Sequence, residues 1–303
     1  MRDRIGVRAR VRAPASSANL GPGFDSFGLA LGWYDMVGAE VCARGLRVEV
    51  TGHGAATIPR DESHLVVTAM RATFTALEVT QPGLELHCRN VIPHGRGLGS
   101  SAAAIVSGVL LAEQLAGREL GEARRLDLAA AQEGHPDNVA ACLLGGFTIA
   151  WTEGPRSRAL RLDVDSRVSA KVFVPGTPLS TRTARGLLPD DVPHRAASAN
   201  AARSGLLAAA MTLRPEVLLA ATADRLHQDY RRPAMPDTLA LVDALREAGV
   251  AAVVSGAGPT VLALVTPDQP VDLDAWTRPG WQSHALDIDG QGALTDAGGP
   301  SSH

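Results

Sequence analysis

The densest run of potential chemistry is Pro93-His94-Gly95-Arg96-Gly97-Leu98-Gly99-Ser100-Ser101-Ala102-Ala103. It follows an alternating segment, Leu84 to Arg89, and leads into an alanine-rich one. Three glycines within five residues let the backbone approach a ligand closely. Amides exposed at a helix start attract an anion, and the helix dipole adds to the attraction. Ser100 and Ser101 supply hydroxyls for phosphate or for a metal. A tight turn with a serine cap is the plainer alternative; entry into a long alanine helix favours a phosphate cradle over it. Only one of the 29 basic residues, Lys171, is a lysine, and no glycine loop precedes it. A Walker A loop is therefore excluded, and the chain carries no protein-kinase HRD or DFG motif. Phosphate chemistry here has to rest on backbone amides, arginine and metal.

Three further groups of residues stand out. Asn19 and Asp25 lie six apart in the Gly/Pro-rich run Asn19-Leu20-Gly21-Pro22-Gly23-Phe24-Asp25; by themselves they read equally as an Asx-turn and a cap. Glu133-Gly134-His135-Pro136-Asp137-Asn138 crowds polar groups between two alanine-rich segments, and Glu133 ends a helix from which it can face the glycine loop. A lone carboxylate beside phosphate oxygens suffices for Mg²⁺. Arg185 and Arg231 are two of 28 arginines, and a guanidinium fork suits both carboxylate and phosphate.

Taken together, these runs resemble the GHMP small-molecule kinases. Pro93–Ala102 has the form of that family's second motif, Pro14–Asp25 of its first, and Ser255-Gly256-Ala257-Gly258-Pro259-Thr260-Val261 of its third. The first motif is similar to that of the homoserine kinase branch rather than the sugar or mevalonate branches. The resemblance implies an α+β, two-domain fold, with an N-terminal domain like ribosomal protein S5 domain 2 and a ferredoxin-like C-terminal domain. It implies ATP-dependent phosphorylation of the L-homoserine side-chain hydroxyl, on the route to threonine, with ATP and Mg²⁺ as cofactors. Residues Pro93 to Ala103 would bind ATP, and Ser101 and Glu133 the metal. Asn19, Asp25, His135, Asp137, Arg185 and Arg231 would bind substrate, with Asp25 and Arg185 closest to the chemistry. Asn200 occupies a family-like position without an assigned role. Asp61-Glu62-Ser63-His64 departs from the pattern, since an asparagine often precedes the helix there, and this leaves the adenine contacts open. Leu65, Val66 and Met70 read as core.

Two other classes are weighed against this. A Rossmann dinucleotide binder would need an acidic residue at a strand end about 20 residues past the glycines; only Glu119, in a polar turn, comes near. A binding-only protein of the same fold would be expected to lack some of Ser100, Ser101, Glu133 and Asp25, all of which are present.

The elements that must hold these residues follow from periodicity. Strands are expected at Val7–Val11, Leu46–Val50 and Leu84–Arg89, and helices at Ser63–Leu77, Ser101–Leu115 and Ala123–Glu133, the last two stopped by Gly117 and Gly134. A strand Phe147–Trp151 precedes Thr152–Ser157, the expected linker. Residues 1–155 then form the ATP-binding domain and 156–290 a split βαβ domain, with 291–303 a flexible tail. The chain has 303 residues, 45% apolar and 20% charged, with net charge −3. That is ample for two domains and shows no basic face for nucleic acid. No apolar run is long enough to span a membrane. The N-terminus has no signal-peptide h-region, and three scattered cysteines fit free thiols. A cytoplasmic enzyme is expected, with a small-molecule substrate, no nucleic-acid or membrane partner, and a homodimer left open.

Overall fold

The computed structural model describes residues 1–268 and 271–297. Its strands are β1 (Arg8–Asn19), β2 (Gly23–Cys42), β3 (Leu46–Gly52), β4 (Gly83–Asn90), β5 (Phe147–Glu153), β6 (Arg156–Leu162), β7 (Ser169–Pro175), β8 (Ala251–Val254), β9 (Val261–Val265), β10 (Trp281–Leu286) and β11 (Leu294–Ala297). Its helices are α1 (Leu65–Ala76), α2 (Ser100–Ala116), α3 (Glu122–Glu133), α4 (Asp137–Leu144), α5 (Thr181–Arg185), α6 (His194–Thr212), α7 (Leu218–Ala221) and α8 (Pro236–Glu247).

The first sheet runs β11-β1-β2-β4-β3, with β5 paired to β2 and β6 to β5. Helices α2 and α4 pack across β1 and β2, and α1 packs on α2. Alternation dictates the buried face: Ala9 and Val11 are inside while Arg8 and Arg10 face water. Helix α2 is sheathed all round, which explains its run of small and aliphatic residues. Phe74, Leu86 and Leu111 are fully buried in this core; truncating Phe74 to alanine is worth about 3–5 kcal/mol.

The second sheet is fully antiparallel in the order β10-β7-β9-β8, so β7 and β8 run parallel with β9 between them. This is the expected split βαβ arrangement. Helix α8 packs Leu239, Val242 and Leu245 under it, with Phe173 from β7.

Two boundaries differ from expectation. Thr152–Ser157 is the turn of a hairpin rather than a linker: Trp151 pairs with Arg158 and Glu153 with Arg156. Gly154 and Pro155 break the strand, but the flanks alternate and close on each other. Residues 156–162 therefore belong to the first sheet, and a boundary at 155 would cut the hairpin. The expected flexible tail also begins in regular structure. Leu294–Ala297 pairs with Ala9–Arg12 of β1, and the Asp289 carboxylate fixes the chain ahead of it by accepting the Gln291 and Gly292 amides at 3.0 and 2.5 Å. The last six residues of that tail, 298–303, lie outside the described residues.

Candidate active site

A cleft of about 600 Å³ opens where the N-terminus of α2 faces the loop after β8 and the 3-10 turn Asp229–Ala234. The glycine loop forms its floor, and its carbonyls all turn into the protein. Gly95 O accepts from Leu179 N at 3.0 Å, Arg96 O from Thr260 N at 3.3 Å, Gly97 O from Ser255 Oγ at 2.6 Å and Leu98 O from Ser16 N at 3.1 Å. The amides of Gly97 to Ala102 have no protein partner among the described residues. A backbone anchored through its carbonyls and open at its amides is an anion cradle. Gly97 and Gly99 sit at φ +74° and +67°, where a Cβ would run into the Ser255 carbonyl and the Ser16 hydroxyl.

Ser101 Oγ donates to Glu133 Oε1 at 2.6 Å. Helix α3 ends at Glu133, and Gly134 at φ +93° turns the chain away so that the carboxylate faces the loop. Burial pushes the Glu133 carboxyl above the ordinary 4.5, and the Ser101 hydrogen bond offsets this only in part. A buried carboxylate with a hydroxyl and open amides around it is a hard-oxygen donor set that fits Mg²⁺ bound together with phosphate.

Opposite the cradle lies the loop joining β1 to β2. Asn19 and Asp25 both have positive φ, +68° and +55°, and Asn19 holds the loop shut. Its Oδ1 accepts the Asp25 amide at 2.9 Å and its Nδ2 donates to Gly256 O at 2.8 Å. Half of its hydrogen-bonding capacity remains unused, and the residue lines the cleft. Asp25 meets Arg185, at the end of α5, in a two-pronged pair of 3.0 and 2.6 Å. Both Asp25 oxygens are thus engaged by Arg185, each with a lone pair still to offer.

Arg231 is 1% exposed yet lines the cleft. Burial, and Arg185 nearby, lower it to about 10, so it stays charged at neutral pH. His135 Nδ1 lies 2.7 Å from Asp137 Oδ1, and that hydrogen bond raises His135 above the ordinary 6.5. Asp137 also accepts the Asn138 amide at 2.7 Å.

A second cavity of about 720 Å³ adjoins the first and shares Ser100 and Ser101 with it. Val37, Ile58, Pro59 and Val66 give it apolar walls, and Asp35, His64 and Asn90 polar points, the make-up of a site for a flat heterocycle. Asp35 is held by the Val91 and Ile92 amides at 2.6 and 2.9 Å, yet burial still raises its carboxyl. His64 caps α1 by accepting the Val66 amide at 3.2 Å.

The expected site residues therefore divide. Asn19, Gly95, Gly97, Leu98, Gly99, Ser100, Ser101, Glu133, His135, Asp137, Arg185 and Arg231 line one cleft, and Asp25 reaches it through Arg185. Pro93, Ala102 and Ala103 are buried behind the loop, and His94 faces the second cavity. The Arg96 side chain points elsewhere, to the carbonyls of Pro175, His94 and Gly176 at 2.9, 3.0 and 2.5 Å, so it ties the two sheets together. Leu65, expected in the core, is 46% exposed at the second cavity's rim; it opens α1, where packing on α2 has not begun. Asn200 buttresses the first loop by donating to Pro22 O at 2.7 Å. Sequence reasoning missed Asp35, Phe24 and His227. An acidic residue amid Trp33, Tyr34 and Met36 in a strand, and a histidine four before Arg231, are the signals it had.

Residues 64–146 match the model for the GHMP kinases N terminal domain, and 201–275 that for the GHMP kinases C terminal domain. The chain is 54% identical over 287 residues to the homoserine kinase of Streptomyces coelicolor, covering 94% of this chain and 93% of that one. It is 49% identical over 275 residues to that of Corynebacterium diphtheriae, covering 88% and 89%. The crystal structure of homoserine kinase from Cytophaga hutchinsonii superposes with a TM-score of 0.85 at 27% identity, over 95% of this chain and 97% of that one. The fold, the three motifs and these relatives agree: the chain belongs to the GHMP kinase family, in its homoserine kinase branch.

Proposed function

We propose that this protein transfers the γ-phosphoryl group of ATP to the side-chain hydroxyl of L-homoserine, giving O-phospho-L-homoserine and ADP in threonine biosynthesis. One observation carries the reading. An anion cradle with open amides and a pair of arginines beside carboxylates face each other across a single cleft. That arrangement suits a polyphosphate on one wall and a zwitterionic amino acid on the other.

Phosphoryl transfer needs positioning and charge neutralisation more than covalent help. The Gly97–Ala102 amides take the β- and γ-phosphates, and the adenine enters the second cavity. Ser101 and Glu133 would hold Mg²⁺, which when bound offsets charge on the phosphate oxygens. Arg231 anchors the homoserine carboxylate. Asp25, His135 and Asp137 orient the ammonium and hydroxyl ends, with Asn19 shaping the loop that presents them. Arg185, released from Asp25 as substrate enters, is placed to reach the transferring group. No helix among the described residues is long and apolar enough to cross a membrane, and we assign the activity to the cytoplasm, where ATP is made available.

Coupled ADP release over L-homoserine, mevalonate, galactose and shikimate tests the assignment. Turnover confined to L-homoserine is expected. ADP release with mevalonate or a sugar but not with homoserine would overturn it.

A further inference from the structure

Arg231 would be a poor anchor if it could turn. It is buried at the junction of the two sheets, and its long side chain has several rotatable bonds. Something must choose which edge of the guanidinium meets the cleft.

The neighbours of Arg231 make that choice. Its Nη1 donates to His227 Nδ1 at 3.1 Å and to Gly256 O at 3.2 Å. Nε is buried with no partner, and Nη2 makes no hydrogen bond among the described residues. One end of the fork is fixed and Nε is shut away from solvent, so Nη2 is the nitrogen left to meet a ligand in the cleft that Arg231 lines, as a charge-assisted donor to a carboxylate.

His227 can hold Nη1 in only one protonation state. A guanidinium has no acceptor, so Nδ1 must bring a lone pair. The ring proton then sits on Nε2, which lies 2.8 Å from Gly21 O and donates to it. Gly21 belongs to the substrate loop between β1 and β2. The ring also stacks on Phe24 at the start of β2, with centroids 5.1 Å apart and planes 27° apart. Asp224 fixes the turn that carries His227, accepting the amides of Leu226, His227 and Gln228 at 2.9, 3.1 and 2.8 Å. Burial favours the neutral ring, lowering its pKa.

We infer that His227 is a positioning residue: as the neutral Nε2–H tautomer it clamps Arg231 to the substrate loop through Nη1 and so presents Nη2 to the homoserine carboxylate. The inference rests on the proposed substrate for its ligand, but the clamp itself does not. Neither Nδ1 nor Nε2 of His227 is left to touch substrate.

Two measurements test it. Nitrogen NMR of the labelled wild-type protein should show His227 with Nε2 protonated and Nδ1 bare, and Arg231→Ala should abolish the shift that the guanidinium imposes on Nδ1. A His227 resonance protonated at Nδ1 overturns the clamp whether or not the protein uses homoserine. In steady-state kinetics, His227→Ala should raise KM for L-homoserine on the order of tenfold while KM for ATP moves less than about twofold. His227→Asn, whose Oδ1 can take the place of the Nδ1 acceptor, should recover most of that loss. Equal rises in both KM values, or no recovery by asparagine over alanine at matched thermal stability, would reduce His227 to packing and overturn the inference. Wild-type protein without homoserine-dependent turnover but with the Nε2–H tautomer would remove the proposed substrate and leave the clamp standing.

Discussion

The Arg185 guanidinium grips both oxygens of Asp25 at 3.0 and 2.6 Å, joining a residue at the end of α5 to one 160 positions earlier, just inside β2. Each side chain keeps about a third of its surface in water. A pair so exposed contributes little to stability. Its placement at the cleft mouth gives it another use: each member is a partner the substrate must displace.

Asp25→Asn and Arg185→Ala should therefore lower kcat/KM for homoserine by roughly ten- to a hundredfold each, as loss of a charge-assisted contact does. Because the two residues hold each other, the double variant should lose less than the product of the single losses. A full multiplicative loss would mean that each acts on substrate independently.

Glu133→Gln should lower turnover by on the order of a hundredfold or more, with excess Mg²⁺ restoring part of it, since metal stabilisation of developing charge amounts to several kcal/mol. A carboxylate that only ended α3 would alter thermal stability by about 1 kcal/mol and leave the Mg²⁺ dependence untouched. In the wild type, burial raises the Glu133 carboxyl above 4.5, and a metal ligand must be ionised. Apparent Mg²⁺ affinity should accordingly weaken as pH falls, beginning above the ordinary glutamate value.

The pair His135–Asp137 predicts an opposite pH trend in stability. The Asp137 hydrogen bond raises folded His135 above 6.5. The stabilisation is fully present below the unfolded value and is lost as pH rises through the folded one. Asp137→Asn should melt lower than wild type at pH near 6, and the gap should narrow at higher pH. A gap independent of pH would place the cost in the fit of the new amide among the Asp137 Oδ1 contacts, to His135 and the Asn138 amide, rather than in the lost charge.

How much of this could be read from the chain depends on how local each feature is. The glycine loop, Glu133 at its helix end and the split βαβ pattern are local runs, and their chemistry is written in adjacent residues. The β1–β2 connection is not. Asn19, Leu20 and Asp25 all take positive φ without being glycine, held there by contacts to Gly256, Arg185 and Asn200 that lie far along the chain. The return of Leu294–Ala297 to β1 likewise depends on a partner that only the assembled sheet supplies, whereas the β5–β6 hairpin is local and is masked by Gly154 and Pro155, which read as a break. Asp35 and His227 sit in no motif, and what they hold, the Val91 and Ile92 amides and Arg231, is set only in three dimensions.

Arg231 offers the sharpest test of the substrate wall. Its carboxylate contact should contribute about 1.5–3 kcal/mol as a charge-assisted hydrogen bond, so Arg231→Ala should weaken homoserine binding roughly ten- to a hundredfold and ATP binding far less. Lysine should rescue poorly, because a single ammonium cannot spread over the reach of the fork, meeting the carboxylate while also satisfying His227 and Gly256 O. Removing a buried guanidinium leaves those acceptors unpaired, so part of any loss could come from a loosened site; thermal unfolding of each variant separates that part. The control is 3-aminopropan-1-ol, which is homoserine without its carboxylate. It should bind wild type as weakly as homoserine binds Arg231→Ala, and should lose little more in the variant. If the lost carboxylate and the lost arginine weaken binding independently, the two do not touch, and the carboxylate must be moved to Arg185.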